Sequence, residues 1–311
     1  MEEMISSTMS VEEYLYLAED KLVEFIKNNK YKDFLKSMPN LYKYSVRNQI
    51  LIYSQNPIAT YLNGMNSWNY CGRKIIKGEK SIKIIQPTFK EVTEEIEENG
   101  AKTTSTNSIL DGYKVSHLFD ISQTEGKDLQ MDTLNKEKVM NNYEKITNAL
   151  KQSASNYKFK FTDQMKEADN SYCDYENKII AIRQGLGYEE TLSVLIDEVA
   201  NAILNNYKRE NFMGIVQDDI LDVKNLEKQS VVFIIKEKLG LENETKDLDV
   251  LSKLSDENMR KFKFNLDYIR KVSYRIINQI NKALAEEQEK TKTTEKEVEL
   301  QWFCQAKWCQ F

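Results

Sequence analysis

Residues that interrupt helices are scarce in this chain. Only 3 prolines and 10 glycines occur among its 311 residues, and both residue types disfavour the interior of a helix. We therefore expect helices to dominate the structure. The length is sufficient for two ordinary domains. The hydrophobic and charged fractions, 41% and 30%, suit a globular protein with exposed helices.

The spacing of apolar residues separates helical from extended segments. Apolar positions recur at the helical period in 10–37, 41–55, 136–155, 187–207, 226–240 and 256–287, with a short helical turn at 65–72. Apolar and alternating runs predict strands within 73–87 and at 113–122, 157–161 and 178–183. A tight turn at Gly78 is expected to join two strands of a β-hairpin. The fold class is thus α+β.

Composition divides the chain into three parts. Residues 1–130 are expected to form a small mixed helix and β-hairpin domain. An acidic, then Ser- and Thr-rich stretch at 91–109 is expected to leave it as a flexible hairpin loop or excursion outside the core. Residues 131–287 are expected to form a mostly helical domain. Residues 288–311 form a charged tail with an aromatic end that contains Cys304 and Cys309.

Several classes of protein are disfavoured by what the sequence lacks. The acidic N-terminus has no signal-peptide core, and no stretch approaches the roughly 20 apolar residues that span a bilayer, so we expect no membrane partner. Four cysteines, at 71, 173, 304 and 309, suggest no disulfide framework, which favours a reduced, cytoplasmic setting. The single histidine, His117, removes most histidine-based metal and acid–base chemistry.

The first half of the chain is strongly basic and aromatic. Residues 26–90 contain twelve Lys and Arg against two Asp and Glu, a charge of +10 inside a chain whose net charge is -5, and nine aromatic residues are interleaved with them. Cations neutralise phosphates, and aromatic faces stack on unpaired bases, so the pattern suits single-stranded nucleic acid. The alternative is that the aromatics form a core and the lysines a hydrated surface.

The order of residues in this half resembles the N-terminal domain of the ArdC-type antirestriction proteins, which the LtrC-like proteins of conjugative elements share. The matching elements are Tyr44-Ser45, Asn48-Gln49, Gln55 to Thr60, Trp68, Gly72-Arg73, Lys77 to Lys80 and Phe119 to Thr124. They occur in the family's order and span about 25–126. The resemblance implies a domain that binds single-stranded DNA without strong sequence preference.

Within this frame, cations near the expected hairpin are assigned to phosphates, and exposed aromatics to bases. The residues expected to bind DNA are Lys43, Arg47, Asn48, Trp68, Tyr70, Arg73, Lys74, Lys77, Lys80 and Lys83. Trp68 could equally be a buried anchor. The residues Asp120, Ser122, Gln123 and Thr124 are expected to fix a loop by hydrogen bonds rather than to bind DNA.

The second half resembles the zincin-like metallopeptidase domain that often follows the first domain in this family. Such a domain needs two histidines at i and i+4 on one helix, and a glutamate beside the first. Here Asp197 and Asn201 stand at the histidine positions, and only Glu198 is in place. A later acidic ligand aligns with Gln229, although Glu227 is two residues away. We treat this set as vestigial, with no catalytic residue, metal or cofactor.

The most direct interpretation is a non-enzymatic, antirestriction-type protein of a mobile genetic element. Its first domain would bind single-stranded DNA, and its second would be a zincin-like pseudo-peptidase. One alternative is a divergent metal-dependent hydrolase that uses Glu198, with Mg²⁺ or Mn²⁺ on oxygen ligands. Another is an interaction protein whose second domain captures a host defence protein.

Overall fold

The computed structural model describes residues 9–98, 101–129, 134–166, 169–206, 213–215, 223–243 and 248–291. Helices and strands are both abundant in these ranges, which confirms the α+β class. No helix within them is long and apolar enough to cross a membrane. The predicted tail lies outside the described residues from 292 onward.

Three helices open the described chain: α1 (Val11–Lys27), α2 (Tyr31–Leu41) and α3 (Val46–Gln55). The single helix predicted at 10–37 is wrong, because the chain turns between α1 and α2. There Asn29 adopts a left-handed conformation with φ of 54°, which Asn tolerates better than most residues. At the other end of α1, Ser10 and Glu13 form a reciprocal capping box.

Short strands and one long hairpin follow. They are β1 (Leu62–Asn63), helix α4 (Met65–Tyr70), β2 (Arg73–Ile75), β3 (Ile82–Glu98), β4 (Ala101–Asp120) and β5 (Thr124–Gly126). One sheet has the strand order β1-β4-β3, and β2 pairs with β5 in a second. Helix α4 confirms the predicted helical turn.

The β-hairpin predicted within 73–87 is wrong. A turn does exist there, with Gly78 at φ of 97° and Glu79 N–H donating to the Ile76 carbonyl over 3.2 Å. However, the strands on either side enter different sheets. Ile75 pairs with Thr124 of β5, whereas Ile82 pairs with Leu118 of β4. The partners come from some forty residues later, so the local turn signal did not determine the pairing.

Of the stretch predicted as a flexible hairpin loop or excursion at 91–109, residues 91–98 belong to β3 and residues 101–109 to β4, so the hairpin alternative is confirmed. These strands remain paired in antiparallel register from Ile82 and Leu118 to Glu98 and Ala101, with one irregularity between Thr88 and Phe89. The stretch is therefore the outer part of a regular two-stranded hairpin.

The second half comprises five helices and a three-stranded sheet among its described residues. They are α5 (Lys136–Asn141), α6 (Tyr143–Ser153), β6 (Lys158–Thr162), β7 (Ser171–Asp174), β8 (Ile179–Arg183), α7 (Tyr188–Asn206), α8 (Val223–Leu239) and α9 (Asp256–Thr291). Strand β8 lies in the centre, parallel to β6 and antiparallel to β7. Of the two described cysteines, Cys173 on β7 is a free thiol.

One hydrophobic core joins the two halves. The buried side chains of α1, α2 and α3 belong to the same cluster as those of α6, α7, α8 and α9. At the junction the Tyr31 hydroxyl lies 2.8 Å from the Ser230 hydroxyl, and the Tyr31 ring packs edge-on against Phe262 at 5.6 Å between centroids. Residues 1–130 and 131–287 therefore do not pack as independent bodies.

We predict that Phe262→Ala destabilises both halves together. The Phe262 side chain is fully buried, and removing such a ring costs about 3–5 kcal/mol. With Trp302 and Trp308 replaced by Phe, Trp68 is the only tryptophan and reports on the first half. Its fluorescence midpoint in urea should fall by the same amount as the midpoint of helical circular dichroism.

Phe161→Ala is the matched control, since the Phe161 ring is 48% exposed on β6. It should shift both midpoints only slightly. If Phe262→Ala moves the circular dichroism midpoint but not that of Trp68, the continuous core is refuted.

Candidate functional site

Two side-chain amides of α3 bind the free edge of β3. The Asn48 amide donates to the Ile85 carbonyl over 2.7 Å and accepts from Ile85 N–H over 2.9 Å. Gln55 makes the same pair of bonds with Lys83, each 2.9 Å long. These amides satisfy the strand's backbone as a neighbouring strand would. The prediction that Asn48 binds DNA is therefore corrected: its amide is committed to the fold.

Two further residues predicted to bind DNA are buried. Trp68 has no exposed surface, and its indole N–H donates to the Phe119 carbonyl over 2.9 Å. Arg73 is 9% exposed, and its guanidinium donates to the Thr124 hydroxyl and carbonyl, each over 2.8 Å, and to the Lys127 carbonyl. Trp68 thus anchors α4 to β4, and Arg73 ties β2 to β5. Neither side chain is available to a base or a phosphate.

The predicted hydrogen-bonding corner is confirmed. Buried Asp120 accepts from the backbone N–H groups of Thr60 and Tyr61 over 2.7 and 2.9 Å. It also accepts from Ser122, while Gln123 accepts from the Asp120 N–H. The corner fixes the chain that leads into β1 against the end of β4.

The remaining predicted cations reach solvent. Arg47, Lys74, Lys77 and Lys80 are exposed, and Lys43 and Lys83 are half-buried. Among the described residues, none of the four exposed cations forms an ion pair, whereas Lys27, Lys36 and Lys90 are paired with Asp256, Asp33 and Asp111. The four are therefore free to neutralise phosphates. They form two groups, one beside the start of α3 and one along β2 and the turn at Gly78.

A cleft opens at the N-terminus of α3. Its cavity volume is about 50 Å³, or about 530 Å³ when the open solvent at its mouth is included. Its walls are Tyr44, Ser45, Asn48, Leu62, Asn63, Gly64, Ile84, Ile85, Gln86, Pro87 and Leu118. None of these wall residues is charged. Cations lie around it instead: Lys43 and Arg47 are next to wall residues in sequence, and exposed Lys114 pairs with Gln86 across the sheet.

Several aromatic rings of the first half are exposed. Tyr70, one of the predicted stacking residues, is 59% exposed. Sequence reasoning missed Tyr113, which is 56% exposed, and counted Phe89, which is 40% exposed, only among the aromatics of the basic stretch. Tyr113 pairs with Pro87 of the cleft wall. Both Phe89 and Tyr113 lie where β3 and β4 extend past the core, and this position is the signal that could have identified them.

In the second half, α7 carries the three remnants of the peptidase pattern. Asp197 Oδ1 lies 3.7 Å from the Lys228 ammonium on α8. Glu198 accepts from the Ser171 hydroxyl over 2.8 Å, and its other carboxylate oxygen is buried without a partner in the described part of the chain. Burial raises the pKa of Asp197 and of Glu198, against the opposing effects of Lys228 and Ser171 respectively.

These residues do not fit a zinc site. The Lys228 ammonium beside Asp197 would repel a cation. Glu227 is fully buried and accepts from Asn265 over 2.8 Å, so its carboxylate is used elsewhere. No group of three His, Cys, Asp or Glu side chains within the described ranges could hold a metal ion. Beside the site, burial raises the pKa of the Cys173 thiol to about 11, which makes it a poor nucleophile at neutral pH.

Comparisons with known proteins agree with the resemblance drawn from the sequence. Residues 19–118 match the family model described as the N-terminal domain of anti-restriction factor ArdC. The metal-free crystal structure of the antirestriction ArdC protein from the R388 plasmid has a TM-score of 0.50 and 12% identity, over 88% of this chain and 98% of that chain. The Mn(II)-bound structure has a TM-score of 0.49 at the same identity and coverage. None of the curated proteins compared with the chain matches it.

We predict that Glu198→Gln stabilises the protein at pH 7. Because burial raises the pKa of Glu198 in the folded state, the folded protein holds this proton more tightly than the unfolded chain does. The stability that Glu198 contributes therefore falls as pH rises through the folded pKa. Glutamine keeps the shape without the charge, so the free energy of unfolding in urea should be larger at pH 7.

The gain should disappear below about pH 4, where glutamate is protonated in both states. Glu176→Gln serves as the control, since Glu176 is exposed in the turn between β7 and β8 and its carboxylate is hydrated in both states. A loss of stability at pH 7 in Glu198→Gln, absent in Glu176→Gln, would contradict the burial argument.

Proposed function

We propose that this chain binds single-stranded DNA through its first half, of which residues 19–118 match the family model for the N-terminal domain of anti-restriction factor ArdC. The observation that carries the proposal is the uncharged cleft at the start of α3, with the cations Lys43, Arg47 and Lys114 beside it. Cations outside the cleft would neutralise the phosphates of the strand. This would release the counterions bound to the DNA, which favours binding. Tyr70, Phe89 and Tyr113 offer exposed rings for unpaired bases.

Single strands are favoured over duplex for a geometric reason. A duplex hides the faces of its bases, so exposed rings would gain little from it. The cations would still contact duplex phosphates, which gives weaker, salt-sensitive binding. Coating of incoming single strands would shield them from host nucleases and restriction enzymes. DNA binding would in this way serve an antirestriction role on a mobile genetic element. Capture of a host defence protein stays a prediction of the sequence.

We predict that the triple variant Lys74→Ala, Lys77→Ala, Lys80→Ala binds single-stranded DNA more weakly than wild type and with less salt dependence. Each lost phosphate contact reduces the slope of log affinity against log salt by about 0.7. The three changes should therefore reduce it by up to about 2. Fluorescence anisotropy with a labelled oligonucleotide at several salt concentrations measures both quantities.

A matched triple, Lys158→Ala, Lys224→Ala, Lys253→Ala, removes the same charge from exposed positions in the second half. It should leave the salt slope unchanged. Equal losses in both triples would mean that net charge alone is responsible. Equal affinity of wild type for single strand and duplex would reject the proposed preference.

We further propose that the second half is not an active metallopeptidase. The support is the contact between Asp197 and Lys228, together with the use of Glu227 by Asn265. The fold would then serve as a frame, since it shares one core with the DNA-binding half.

We predict that protein incubated with Zn²⁺ or Mn²⁺ and then passed through a desalting column retains no stoichiometric metal. The reason is the donor set, which offers carboxylate and amide oxygens beside an ammonium. Inductively coupled plasma mass spectrometry gives the metal content. One metal per chain that is lost in Glu198→Gln would overturn the proposal and favour the hydrolase.

A further inference from the structure

The cleft contains a polar group that the fold leaves without a partner. Asn63 on β1 is 5% exposed, and its side-chain Nδ2 makes no hydrogen bond within the described residues. A buried polar group left in this way costs about 1–3 kcal/mol. Every other side-chain amide in the cleft wall is in use, since Asn48 binds Ile85 and Gln86 accepts from Ser116.

The walls around Asn63 define the kind of group that could enter. Leu62, Ile84 and Leu118 are among the apolar residues that line the cleft, and no charged residue lines it. A phosphate placed inside would lose its hydration without gaining a cation. A flat, neutral, partly apolar group with a polar edge would bury its faces on these side chains. Its edge would bond the amide, which offers both a donor and an acceptor.

The charges outside the cleft match the rest of a nucleotide. Ser45 caps α3 at the cleft wall, and the first backbone N–H groups of a helix favour an anion. Arg47 is exposed on the first turn of α3, and Lys114 lies opposite Gln86. A neutral cleft between cationic surfaces thus matches a neutral base carried on a charged backbone.

We propose that this cleft receives one unpaired nucleobase of the bound strand, with the polar edge of the base on the Asn63 amide. The inference rests on the proposed binding of single-stranded DNA and assigns its base-binding subsite. Tyr113 and Phe89 lie next to it along the hairpin, because Tyr113 pairs with Pro87 of the wall and Phe89 follows two residues later. The neighbouring bases can stack on these rings.

The test compares an intact oligothymidylate with an oligonucleotide of equal length made of abasic sites. Both carry the same phosphates, and only the first offers bases. Asn63→Leu keeps the size of the side chain and removes its polar edge. It should weaken binding of the intact strand about tenfold, because the base edge then lacks a partner, and leave binding of the abasic strand unchanged. Its thermal midpoint should not fall, since the amide made no bond.

A second variant fills the cleft without disturbing the backbone. Gly64 lies in the wall with φ of -71°, and a Cβ added there would meet no atom within 4 Å. Gly64→Leu should weaken binding of the intact strand only. Gly187→Leu is its matched control, because Gly187 also precedes a helix and has the same free space, and it should bind both strands as wild type does.

The outcomes separate the two proposals. If wild type binds neither strand, the proposed DNA binding itself fails. If wild type binds the intact strand and both Asn63→Leu and Gly64→Leu bind it equally well, DNA binding stands and the base-binding cleft is rejected. A selective loss for the intact strand in either variant, with Gly187→Leu unaffected, supports the cleft.

Discussion

The architecture of the first half depends on the amides of Asn48 and Gln55 bonded to the edge of β3. A strand edge presents unpaired N–H and C=O groups that would otherwise recruit another strand. Each amide supplies one donor and one acceptor, so the two side chains act as a short surrogate strand at Lys83 and Ile85. This attachment holds α3 alongside the sheet with its capped N-terminus at the mouth of the cleft. The position of the candidate site therefore follows from the hydrogen bonds between α3 and β3.

The residues that carry the resemblance to the ArdC N-terminal domain are largely the residues that build this frame. Asn48, Gln55, Trp68, Arg73 and Asp120 belong to the matching pattern, and each makes hydrogen bonds inside the domain. The pattern therefore indicated the fold correctly and misled the assignment of Asn48, Trp68 and Arg73 to DNA. An arginine or an asparagine reads the same in a sequence whether it contacts a phosphate or a buried carbonyl. The residues that remain candidates for binding DNA are mostly lysines and exposed aromatic rings, which form no recognisable sequence motif.

Local signals predicted the helices better than the strands. Apolar periodicity located α3, α4, α7 and α9 within a few residues, because a helix satisfies its own backbone over a few turns. Pairing of β2 with β5 joins residues about fifty positions apart, and nothing within either strand specifies the partner. Asn63 escaped prediction for a related reason. It sits on a strand of two residues, and its burial and unused amide follow only from elements that meet around it.

The continuous core makes the packing of the first half depend on the second half. Tyr31 on α2 packs against Phe262 and bonds Ser230, so α8 and α9 bury surface that the first half would otherwise expose. Charged contacts of Lys27 with Asp256 and of Lys263 with Glu19 lie on the same boundary. Loss of the second half would leave the inner faces of α1 and α2 in water. Asp197 and Asn201 are not part of this core, so the residues at these two positions do not affect the packing that joins the halves. Removal of α8 and α9 would abolish that packing.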